Sequence, residues 1–152
     1  MKTIIKSKTK KAEISTDGPF TVIGEKINKT KKKKLAAALQ EENYDYVRDL
    51  AQKQIDAGAD ILDIGGESTR PGAVEVAVDD EIARTAPVIA ALRDGGLAGP
   101  ISIDTRKAAV AQAAFAAGAN ILNDVTALRH DPAMAAVAVK AGVPVVLMHS
   151  IE

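Results

Sequence analysis

The sequence predicts an α/β fold, a partial (β/α) barrel of five parallel strands alternating with four helices behind an N-terminal hairpin or arm. Three observations carry this. Short, β-branched apolar runs bounded by Gly, Pro or polar residues recur at Thr21–Gly24, Ile61–Ile64, Ile101–Ile103, Ile121–Leu122 and Val143–Met148, the pattern of strands buried on both faces. Segments with helical periodicity lie between them. The phase is then repeated: Ala57-Gly58-Ala59-Asp60-Ile61-Leu62-Asp63 matches Ala117-Gly118-Ala119-Asn120-Ile121-Leu122-Asn123, and Ala141-Gly142-Val143-Pro144 opens the last strand similarly.

Residues 1–18 read as a hairpin or arm, because Ile4, Ile5, Ala12 and Ile14 alternate weakly around a lysine-rich stretch and Thr16-Asp17-Gly18-Pro19 is a turn signal. Residues 19–152 hold the partial barrel. The first helix spans about 43–57, since Tyr44, Val47, Leu50, Ala51, Gln54 and Ile55 share one face and Gly58 supplies a stop. Ile82, Thr85, Ala86, Ile89 and Leu92 define the second, and Val110, Ala113, Ala114 and Ala117 the third. Met134, Val137 and Ala138 define the fourth, with Asp131 as cap and Pro132 at the first helical position. Right-handed crossovers then give a parallel sheet with its helices outside.

Composition narrows the function classes. With 152 residues, 47% of them hydrophobic and 26% charged, the chain suits one globular domain and not a disordered or fibrous protein. The lack of cysteine excludes disulfides, thiolate metal sites and cysteine nucleophiles, and fits a reducing cytoplasm. Apolar stretches such as Ala133–Val139 fall far short of the roughly 20 residues of a membrane span. Phe20, Phe115, Tyr44 and Tyr46 are too few aromatics for a nucleic-acid stacking platform. Residues 1–34 hold eleven lysines against Glu13, Asp17 and Glu25, a charge run that reads as a solvated basic edge, with no nucleic-acid or membrane partner expected.

In parallel α/β folds ligands bind at the carboxyl ends of the strands, so the informative residues follow each apolar run. Here they are Glu25 and Asn28, Asp63, Asp104 with Arg106, Asn123 and Asp124, and His149 with Ser150. A single Asp or Asn there is an ordinary cap or turn former, but five polar ends in phase describe a binding rim. His130 is explained by the turn chemistry around it. The loop Gly65-Gly66-Glu67-Ser68-Thr69-Arg70-Pro71-Gly72 is the most particular feature: glycines let backbone N–H groups approach an anion, Ser68 and Thr69 add hydroxyls, and Arg70 offers a planar fork.

These residues resemble a known family. Asp63–Ala73, Asp80-Glu81 with Arg84, Ile101–Thr105, Ile121–Val125 and Val146–His149 look like dihydropteroate synthase in order and spacing, over about 60–150. The first βα unit, Phe20–Asn28 with the lysine-rich turn and Leu35-Ala36, is more similar to methyltetrahydrofolate:corrinoid methyltransferases, with Lys29 and Lys31 where that family has Pro and Gly. Both families share the pterin-binding TIM barrel of eight strands, whereas this chain is expected to stop after strand five. It would then lack a later acidic residue, a lysine and an Arg-x-His of the complete barrel, and would leave two sheet edges open.

The resemblance implies condensation of 6-hydroxymethyl-dihydropterin diphosphate with p-aminobenzoate, releasing diphosphate, with Mg²⁺ as cofactor. It implies that Asn28 lies near the metal and the diphosphate, and that Thr69 and Arg70 contact diphosphate and frame the aminobenzoate pocket. Asp104 and Asn123 would bond the pterin, with Met148 packed on its ring; Arg70 and Asp104 are the catalytic candidates. Two alternatives stand beside it: methyltetrahydrofolate:corrinoid methyl transfer, and a non-catalytic half-barrel fragment or chimera. A homo-oligomer or a complementing half barrel is the expected partner.

Overall fold

The computed structural model describes residues 2–6, 11–15, 17–18, 20–28 and 33–148. It opens with β1 (Lys2–Lys6) and β2 (Lys11–Ser15), antiparallel and in register from Lys2↔Ser15 to Lys6↔Lys11, so the expected hairpin forms. A five-stranded parallel sheet follows: β3 (Ile23–Asn28), β4 (Ile61–Gly65), β5 (Ile101–Asp104), β6 (Ile121–Asp124) and β7 (Val145–Leu147). Its spatial order is the chain order, β3-β4-β5-β6-β7, as successive crossovers of a barrel require. Among the described residues β3 and β7 pair on one side only, so the sheet is an open segment of a barrel. No helix of the described residues is long and apolar enough to cross a membrane.

The helices are α1 (Lys33–Gln40), α2 (Tyr44–Asp56), α3 (Val78–Asp94), α4 (Ala108–Ala117) and α5 (Met134–Ala141). Helix α1 is one more than expected. It forms because Leu35 and Ala38, three positions apart, bury one face while Lys33 and Lys34 stay exposed as the solvated basic edge. The first sheet strand begins and ends later than the expected Thr21–Gly24 and runs through Asn28, while the last is trimmed to three residues. Asp131 does lead into α5: its Oδ1 accepts from Ala133 N at 2.9 Å, although regular helix starts only at Met134.

The sequence repeat proves to be a structural device. Gly58, Gly118 and Gly142 all have positive φ, and the residue after each donates back into the preceding helix: Ala59 N to Gln54 O, Ala119 N to Ala114 O, Val143 N to Ala138 O. At the next position the two full repeats make the same two-bond clamp on the start of the preceding strand. Asp60 N donates to Val22 O (2.8 Å) and its Oδ2 accepts from Val22 N (3.0 Å); Asn120 N donates to Ile101 O (3.0 Å) and its Oδ1 accepts from Ile101 N (2.9 Å). These clamps fix the register of each strand pair where the chain enters the sheet.

Strand alternation divides the core. Leu62, Ile64, Ile101, Ile103 and Leu122 face the helices and pack in one cluster with Val47, Val88, Ile89, Leu92 and Val110. On the inner face Ile61 and Ile121, at the amino ends of their strands, pack with Val146 and with Ile5 of the hairpin. Ile5 is 1% exposed, so the hairpin closes the amino-terminal end of the sheet. The carboxyl end is left for other residues.

Candidate functional site

A single line of registered residues crosses the inner face: Asn28 ↔ Gly65 ↔ Asp104 ↔ Asn123 ↔ Val146, one from each strand of the sheet. Asp63 and Ser102 pair in the line beneath. Asn28, Asp63, Asp104, Asn123, Thr69 and Arg70 line one part of an open cleft of about 900 Å³ that also runs past Val22 at the start of β3 and Leu50 and Gln54 of α2. The strand alternation that hides Leu62 and Ile64 behind the sheet is what turns Asp63 and Gly65 into the cleft.

The floor is polar and ordered. Asp63 is 5% exposed; its carboxylate accepts from Ser102 Oγ and from Asn123 Nδ2, the latter at 3.3 and 3.4 Å to its two oxygens. Asn123 on β6 is therefore oriented by a buried carboxylate on β4, reaching past the intervening β5. Asp63 is a site residue that the reading of the sequence placed on the rim without giving it a role. The period-2 alternation of Ile61-Leu62-Asp63-Ile64-Gly65 was the available signal, since it puts Asp63 on the ligand side.

The two glycines serve close packing. A Cβ on Gly65 would lie 2.8 Å from Asn28 Nδ2 and 3.3 Å from Asp104 Oδ2, so its absence lets both side chains converge over the strand end. A Cβ on Gly66 would meet Glu81 Cγ at 2.8 Å and Thr85 Cγ2 at 3.0 Å, so this position seats the loop on α3.

The loop itself has a buried base and an exposed tip. Glu67, 4% exposed, accepts from Val76 N (2.9 Å), Arg106 Nε (2.9 Å) and Lys107 Nζ. Asn28 Nδ2 donates to Glu67 O at 3.0 Å and Arg84 to Gly66 O at 3.0 Å. Burial pushes the Glu67 carboxyl up, but the bonds from Lys107 and Val76 and the charges of Lys107 and Arg106 outweigh it and hold it below its ordinary value. Burial likewise pushes Lys107 down, and its bonds and charge attraction to Glu67 and Glu81 outweigh that and hold it above its ordinary value. Thr69 and Arg70 at the tip are exposed, and Ser68 is half-buried.

The structure thus brings Asn28, Thr69, Arg70, Asp104 and Asn123 around one cleft. Met148 follows β7, 49% exposed, and is not among the residues that line the cleft. Asp124 instead shapes the chain beyond β6, because its oxygens accept from Thr126 N, Thr126 Oγ1 and Leu128 N and so hold the turn where Ala127 and Leu128 take positive φ. The Glu25 side chain, Lys29, Lys31, His149 and Ser150 lie outside the described residues. Among the described residues no group of three or more His, Cys, Asp or Glu side chains is placed to hold a metal ion.

The family model described as "Pterin binding enzyme" matches residues 24–152. A probable bifunctional folylpolyglutamate synthase/dihydropteroate synthase of Haloferax volcanii is 60% identical over 102 residues, covering 67% of this chain and 12% of that protein. Among solved structures, 7,8-dihydropteroate synthase from Vibrio fischeri aligns with a TM-score of 0.76 at 40% identity, over 98% of this chain and 50% of that one. Xanthomonas albilineans dihydropteroate synthase with 4-aminobenzoic acid aligns with a TM-score of 0.75 at 37% identity, over 98% and 52%. The chain spans about half the length of the solved structures it matches.

Proposed function

The chain belongs to the family of pterin-binding enzymes, and on that premise we propose that its cleft is a dihydropteroate synthase-type site for 6-hydroxymethyl-dihydropterin diphosphate and p-aminobenzoate. The observation that carries this reading is the register line that sets Asp104 beside Asn123 beneath the Ser68–Arg70 loop. A pterin edge presents adjacent N–H donors and ring acceptors. A carboxylate and a carboxamide side by side can read that edge, the amide being held by Asp63, and Met148 at the end of β7 would cover the ring face.

In the reaction the exocyclic C–O bond to diphosphate breaks, the p-aminobenzoate nitrogen bonds to that carbon, and the amine's surplus proton leaves to solvent. Negative charge gathers on the departing diphosphate, so donors fixed around it lower the barrier. Arg70 and the hydroxyls of Ser68 and Thr69, which line the cleft from the loop after β4, would supply those donors. The amide oxygen of Asn28, whose Nδ2 donates to Glu67 O, would be a hard donor for a Mg²⁺ ion that takes its remaining ligands from diphosphate and water. Bound there, the ion would neutralise part of the leaving group's charge. The open edges β3 and β7 would be covered by another copy of the chain or by a complementing half barrel.

Calorimetric titration with the pterin diphosphate and Mg²⁺, beside methyltetrahydrofolate, tests this. Saturable binding of the diphosphate ligand, weakened in Asp104→Asn, is expected. A folded chain that binds neither ligand would overturn the reading, and preferential binding of methyltetrahydrofolate would transfer it to methyl transfer.

A further inference from the structure

Lys107 has no place in the chemistry above, yet it is 6% exposed and lies at the centre of the most heavily bonded cluster beside the cleft. Its ammonium donates to Glu67 Oε2, to Glu81 Oε2 (2.8 Å) and to the Val76 carbonyl (2.6 Å). Those three groups belong to the start of the loop after β4, to the first turn of α3, and to the loop's far end. Glu67 Oε2 in turn accepts from Val76 N, so the two ends of the loop are joined both directly and through Lys107. Thr105 Oγ1 completes the cluster by donating to Glu81 Oε1 (2.7 Å) and accepting from Lys107 N (3.2 Å).

We propose that Lys107 is the positioning residue of the anion loop: it locks the ends at Glu67 and Val76 and thereby holds Ser68, Thr69 and Arg70 over the cleft without touching ligand. Lys107 follows Asp104 by three residues on the same connection from β5 to α4. This short rigid segment therefore gives one side chain to the floor of the cleft and another to the base of the loop. Pterin-reading and diphosphate-reading groups are held at a fixed spacing by it, a form of preorganisation that spares the ligand the cost of ordering the loop. The chemical meaning of the lock rests on the pterin diphosphate reading of the cleft; the lock itself does not.

The test measures amide hydrogen exchange on the whole chain without ligand, then ligand affinity. In Lys107→Met, exchange across residues 68–76 should rise about tenfold or more while β4 and β5 keep theirs. The charge-neutral triple variant Glu67→Gln/Glu81→Gln/Lys107→Met answers the same question should the unpaired carboxylates of the single variant prevent folding. Loop exchange equal to that of the unaltered chain in either folded variant would overturn the proposal. Affinity separates a positioning role from a general weakening: the variant should lose about tenfold for the pterin diphosphate and less than about twofold for the bare pterin. Equal losses for both ligands would also overturn it. An unaltered chain with no preference for the diphosphate would sink the reading of the cleft, while the exchange result still decides the role of Lys107.

Discussion

The two ends of the inner sheet face contrast sharply although the same strands build both. At the amino end Ile61 and Ile121 close around Ile5 of the hairpin; two residues further along, β4 and β6 present Asp63 and Asn123, with Ser102 and Asp104 of β5 beside them. In β4 and β6 the change takes a single step along the inner face, from Ile61 to Asp63 and from Ile121 to Asn123. Stability and recognition are thus separated along the strand axis, which lets a polar floor stay buried: its hydrogen bonds are anchored by neighbours that an apolar layer holds in register.

The largest expected effect breaks the apolar end. Ile121→Ala, at a fully buried position, should cost about 2–5 kcal/mol of unfolding free energy in urea titration. A cost under about 0.5 kcal/mol would mean that the hairpin does not seal this layer. At the polar end the signature reverses: Asp104→Asn should weaken pterin binding by about 1.5–3 kcal/mol, the worth of a charge-assisted bond, with little change in the urea midpoint.

A control outside the inner face sharpens the contrast. Asp131 accepts from Ala108 N (2.8 Å) and Ala133 N (2.9 Å), and these bonds, the first above all, hold its carboxyl below its ordinary value of 3.8. Asp131→Ala should cost about 0.5–2 kcal/mol, as capping losses do. A depressed folded value means that this contribution is complete above pH 3.8 and is lost as pH falls through the lower folded value, so the gap between the two proteins should close on acidification below that point. A gap that persisted there would refute the capping role. Smallest is Arg70→Ala, which should weaken diphosphate-bearing ligands by about threefold and spare the bare pterin, because the guanidinium works in solvent.

Much of this arrangement was legible in the chain. The repeat around Gly58 and Gly118 announced the βα phase, and that phase correctly put Asn28, Asp104 and Asn123 at strand ends and Thr69 and Arg70 in the loop above them. The first sheet strand runs past the expected Gly24 because its pairing with β4 shifts register between Gly24 and Ile27, which lets Glu25-Lys26 interrupt the apolar run without ending the strand. Helix α1 leaves little trace in the sequence, because four consecutive lysines lead into a buried face of only Leu35 and Ala38. Lys107 left no local signal at all: its partners stand 40, 31 and 26 residues away, so only the folded chain brings them together.

The joined ends of the loop have an evolutionary consequence. With Glu67 and Val76 fastened to each other, residues 68–75 form a closed cassette whose boundary stays put whatever it contains. Insertions, deletions or exchanges within it are insulated from the sheet, so ligand preference can drift by rewriting a few exposed positions while the barrel segment beneath is inherited unchanged.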